Sequence, residues 1–122
     1  MSILWKCAYF FWLALVSVLA LIPRPPLPEE GLLAWDKLQH LGAFGVMTFL
    51  GACAFTFRRY ANVDRFLLSA LIAAIIGGLI EIAQGVFTDA RNADVEDFIA
   101  DVIGAGLVTM AAWIVQEWRA AR

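Results

Sequence analysis

The chain has 122 residues, 62% hydrophobic, 13% aromatic and 16% charged, with a formal net charge of -2 and a mean hydropathy of +0.78. A water-soluble domain carries roughly 45–50% apolar and about 25% charged residues, so this composition excludes a solvated globule and a disordered chain alike. At about 20 apolar residues per crossing, the length allows an all-α bundle of four transmembrane helices, read as one membrane domain over 1–122.

The first apolar run covers 5–22. Lys6 ahead of an apolar stretch is a feature of signal peptides, but the run is long for a signal core. Trp5, Phe10, Phe11 and Trp12 are bulky, and Pro23 opens a poor cleavage context, so a retained anchor is expected. All four prolines, Pro23, Pro25, Pro26 and Pro28, follow at once and predict an extended connector. Further spans are predicted at 38–57, 66–87 and 98–115, the second of them stopped by Arg58 and Arg59. Cys7 and Cys53 lie inside apolar runs at no metal or disulfide spacing. The Leu50-Gly51-Ala52-Cys53 stretch matches a lipoprotein cleavage box by chance, since it sits in a mid-chain span. Gly42, Gly45, Ala73, Gly77, Gly78, Ala100 and Gly104 are small residues suited to close helix packing in lipid.

Lys and Arg counts orient the spans. One side of a four-span chain holds Lys6, Arg58, Arg59, Arg65, Arg119 and Arg122; the other holds Arg24, Lys37 and Arg91. The six-residue side is expected to be cytoplasmic, so both termini point into the cell. Nine of the eleven acidic residues then fall on the outer side; only Asp64 and Glu117 fall inside.

Several polar groups enter the spans near that outer face. His40 lies at the start of the second, Glu81 and Gln84 at the end of the third, and Asp97 and Asp101 at the start of the fourth. Asp36 and His40 are i, i+4; Glu81 and Gln84 are i, i+3; Asp94, Asp97 and Asp101 run i, i+3, i+7, so each set shares a helix face. An Asp at the centre of a lipid-facing helix costs roughly 2.5–3.5 kcal/mol, so these side chains are expected to face one another. The plainer account is a set of satisfied contacts that lock the helices together.

Asp36-Lys37-x-x-His40 with Phe44 after it, Glu81-x-x-Gln84, Arg91 six residues before Asp97, and Asp101-x-x-Gly104 together resemble the VanZ-like family, over about residues 35–107. A departure is Asp101, where many members carry asparagine. The family is named for a membrane protein linked to teicoplanin resistance. The resemblance implies a bacterial cell-envelope protein and supplies no reaction.

A carboxylate beside a histidine is a unit of general acid–base chemistry. Asp36 is placed to orient His40, with partly desolvated Glu81 as the third catalytic candidate. Lys37, Gln84, Arg91, Asp94, Asp97 and Asp101 are candidates for substrate binding, the two basic groups for a headgroup phosphate or carboxylate. No cofactor is expected; a divalent metal on Asp94, Asp97, Asp101 and Glu81 with His40 nearby is the secondary option. Acidic loops and few basic residues disfavour nucleic acid. Three readings stay open: a binding or shielding protein of the outer leaflet that changes lipoglycopeptide susceptibility, an enzyme acting on a lipid or cell-wall-precursor headgroup, and an oligomeric small transporter or flippase. The topology has a direct check. Cysteines placed at Glu30 and Asn92 are expected to label from outside intact cells; labelling at Asn62 alone would reverse the orientation.

Overall fold

The computed structural model describes residues 3–22, 32–55, 62–87 and 94–122. Among them are four helices, α1 (Ile3–Leu21), α2 (Leu32–Ala54), α3 (Asn62–Phe87) and α4 (Val95–Ala120), and no strand. The proline-rich connector, Arg58-Arg59 and Arg91 lie outside the described residues.

Each helix begins earlier in the chain than its apolar run. Hydropathy marks where a chain enters hydrocarbon, whereas helical hydrogen bonding continues through the polar interface. The start of α4 shows what fixes such an end. Asp94 is its N-cap, with extended backbone and a side chain that accepts from the Glu96 amide at 2.8 Å. Glu96 and Asp97 in the first turn and Arg119 in the last complement the helix dipole. Arg122 folds back over the Trp118 ring at 3.5 Å.

α1, α3 from Asp64, and α4 are each long and apolar enough to cross a membrane. Among the described residues α2 is long enough but not apolar enough, so three helices rather than four meet both requirements. Asp36, Lys37, Gln39 and His40 occupy its early turns, and three glycines dilute the apolar stretch after them.

Burial is inverted relative to a soluble bundle. The interior holds His40, Thr48, Ser69, Glu81, Gln84, Asp97 and Asp101, while Phe11, Ile75, Ile82 and Trp118 are exposed. In water such a surface would be a large apolar patch; in lipid it meets its own kind.

Helices in lipid associate through close packing and interhelical hydrogen bonds rather than through the hydrophobic effect. α2 and α4 share the most extensive interface, α3 packs on both, and α1 packs on α2 and α3 but not on α4. Gly104 explains the α2–α4 contact: a methyl group there would run into the Leu41 carbonyl oxygen. Gly45 lies on the facing side of the same crossing, where a Cβ would meet the Gly104 oxygen at 3.4 Å. Gly42 does not belong to this seam and faces open space. α1 is held from the side. Trp12 Nε1 donates to the Ala43 carbonyl at 2.9 Å, and Tyr9 packs edge-on against Phe55.

Gly104→Val is therefore expected to force α2 and α4 apart, losing about 1–3 kcal/mol of stability. Gly42→Ala, which meets nothing, is expected to gain up to about 1 kcal/mol from helix propensity. Thermal unfolding in detergent checks both, and equal shifts for the two variants would contradict the account.

Candidate functional site

The polar residues gather at the end of the bundle where α1 and α3 finish and α2 and α4 begin. α2 contributes Asp36, Lys37 and His40 from its early turns, α3 contributes Glu81 and Gln84 from its last turns, and α4 contributes Asp97 and Asp101, with Asp94 as its cap. His40, Glu81, Asp97 and Asp101 are all buried, Asp101 to within 1% of complete.

His40 is the centre. Its Nδ1 lies 2.9 Å from Asp101 Oδ1, its Nε2 lies 3.7 Å from Asp97 Oδ2, and its ring is parallel to that of Phe44. The carboxylate in hydrogen-bond contact with Nδ1 is Asp101, a partner that the i, i+4 spacing of Asp36 and His40 did not suggest. The helix crossing accounts for this pairing. Gly104 brings α4 against Leu41, next to His40, and Asp101 lies one turn earlier on the same α4 face. Asp36 stays close: one ligand-type atom from each of Asp36, His40 and Asp97 lies within 4.8 Å of the others. The same limit holds for His40, Glu81 and Asp101, a group buried throughout.

Glu81 has two different oxygens. Oε2 accepts from the Asp94 backbone amide at 2.9 Å, so the end of α3 fixes the start of α4. Oε1 is buried with no hydrogen-bond partner, and so is Asp101 Oδ2. Room for the Asp101 carboxylate comes from Gly77, where a Cβ would stand 2.6 Å from Oδ2. Read as a packing residue in the sequence, Gly77 makes space for a charge. Its position four residues before Glu81, on the same helix face, was the available signal.

Lys37, just outside the apolar run of α2, reaches Glu96 at 2.9 Å, Asp97 at 3.5 Å and Asp94 at 3.6 Å. The Glu96 hydrogen bond, with the Asp97 and Asp94 charges behind it, pushes its pKa above the usual lysine range. An ammonium engaged this way neutralises the acids around it. Glu96 lies off the face shared by Asp94, Asp97 and Asp101, and sequence spacing gave no reason to pair it with Lys37. Among the described residues the cluster has more carboxylates than cations, which suits a positively charged guest. Arg91, the other basic candidate, lies outside the described residues.

Gln84 has a structural engagement. Its Nε2 donates to the Ala20 carbonyl at 2.8 Å, in the last turn of α1, where helical carbonyls lack an intrahelical partner. Gln84→Leu is expected to remove the hydrogen bond between α3 and the end of α1, at a loss of about 0.5–1.5 kcal/mol. The His40–Asp101 contact, which does not involve α1, is expected to survive. Thermal unfolding of the variant, with the His40 ring followed by NMR, tests the pair of outcomes.

No curated protein and no solved structure matches the chain. The model of the family described as VanZ/LLP1 matches residues 8–116, from within α1 to within α4. A match over that much of the sequence means that the chain belongs to the VanZ/LLP1 family.

Proposed function

We propose that this is a four-span protein of the bacterial cytoplasmic membrane, with both termini inside, that binds or shields at the outer leaflet. The measurable effect is lower susceptibility to teicoplanin-like lipoglycopeptides. One observation carries the reading: buried ionisable side chains from three helices converge at one end of an otherwise apolar bundle. Intramembrane ionisable residues default to a functional role. Drugs of this type carry an acyl chain and act near the outer leaflet, and the resemblance to a teicoplanin-linked family points the same way.

The crossing by α2 has its own support. Its 23 residues extend about 35 Å, more than the hydrocarbon thickness of about 30 Å. It packs on all three other helices and still exposes Val46 and Phe49 outward. Six basic residues on one side against three on the other support the orientation.

A second reading, acid–base chemistry on a lipid or precursor headgroup, is favoured by the 2.9 Å contact of His40 with Asp101. The transporter reading finds less support. The deeper buried polar residues, Thr48 and Ser69, give their hydroxyls to the Phe44 and Thr48 carbonyls, so neither extends a polar path.

The test is expression in a susceptible bacterium with the drug response measured at equal membrane abundance. Wild type is expected to lower susceptibility. A binding protein keeps part of that effect in Glu81→Gln and His40→Asn, whereas an enzyme loses nearly all of it. An unchanged response with wild type overturns the resistance role.

A further inference from the structure

We infer that His40, Glu81 and Asp101 form the site of a divalent first-row transition metal ion, held between α2, α3 and α4. The inference deepens the reading above, because it names the guest of the same cluster. It rests on that reading only in taking the cluster to be a site at all, and the resistance role does not enter it.

The first observation is the geometry. One ligand-type atom from each of the three residues lies within 4.8 Å of the others, and all three residues are at least nine-tenths buried. Adjacent vertices of an octahedron with bonds of about 2.1 Å are about 3 Å apart, and opposite ones about 4.2 Å. His40 Nδ1 and Asp101 Oδ1, 2.9 Å apart, already match an octahedral edge. The Glu81 atom lies within 4.8 Å of both, against the roughly 4.2 Å that opposite octahedral vertices allow.

The second observation is independent of the first. Glu81 Oε1 and Asp101 Oδ2 are buried acceptors with no hydrogen-bond partner, on side chains otherwise well held. Buried polar atoms are almost always paired, so two orphaned carboxylate oxygens in one cluster call for a missing positive partner. Lys37 does not fill that role, since its contacts are with Glu96, Asp97 and Asp94. Gly77 keeps the Asp101 oxygen from being displaced by a side chain.

The donors choose the ion. One imidazole and two carboxylates, with no thiolate in the group, suit manganese(II), iron(II) or zinc(II) better than magnesium or calcium. Further coordination positions fall to water.

The test uses the full chain in detergent micelles, stripped with a chelator and titrated with manganese(II). Bound metal is counted after gel filtration, and pulsed electron paramagnetic resonance looks for coupling to an imidazole nitrogen. A single saturable ion per chain is expected, with nitrogen coupling from His40, the sole histidine. Affinity is expected to fall more than about tenfold in Glu81→Gln and in Asp101→Asn, and to be unchanged in Glu96→Gln. Zinc(II) is expected to displace the manganese. If either site variant fails to fold, the nitrogen coupling in wild type decides. No saturable binding, as when the carboxylates hold protons instead, overturns the inference; so does bound manganese without nitrogen coupling. An ion bound with no change in drug response would leave the metal site standing and remove the resistance role. A drug effect without an ion would do the reverse.

Discussion

Lipid cannot receive a carboxylate or an imidazole, and the bundle is organised around that constraint. His40, Glu81, Asp97 and Asp101 must meet one another inside the protein, so the helices carrying them must approach closely at one end. Glycine makes the approach possible at two places. Gly104 lets the α4 backbone touch the α2 backbone, and Gly77 lets the Asp101 carboxylate lie against α3. Polar hydrogen bonds then hold what close packing allows: Glu81 to the start of α4, Gln84 to the end of α1, Ser69 to the middle of α2.

Charge is graded from the rim to the centre of this end. Lys37 meets exposed Glu96 and partly exposed Asp94 at the rim, where water screens the pairs and each contributes little. It also reaches Asp97, which is buried and links the rim to His40. Behind Asp97, Glu81 and Asp101 are grouped with the His40 imidazole. The low dielectric there strengthens any interaction with a guest, and it equally penalises an unmatched charge.

Much of this was legible in the sequence, for definite reasons. Apolar runs separated by prolines and arginines gave the helices, because hydrocarbon thickness sets their length. Shared helix faces gave the polar cluster, because lipid leaves charged groups nowhere else to go. What the sequence hid was tertiary. Asp36 is nearer to His40 along the chain, but the hydrogen bond between His40 and Asp101 depends on a helix crossing that spacing does not encode. Gln84 read as a ligand-binding amide, and its contact with Ala20 depended on where α1 ends. Lys37 read both as an anion-binding group and as a neutraliser of neighbouring carboxylates; that Glu96 is among those acids depended on the packing of α2 against α4. The polar start of α2 also lowered its apolar character, so the helix most enclosed by others is the one that length and composition do not mark as a span.

The contact between His40 and Asp101 joins residues 61 positions apart, with the whole of α3 between them in the chain. During synthesis α2 therefore emerges well before the helix that satisfies it. Until α4 follows, the early turns of α2 have no stable place in hydrocarbon and belong at the interface or beside the insertion machinery. α1 and α3 are apolar enough to partition by themselves. The seating of α2 therefore waits on α4, the last helix to be made.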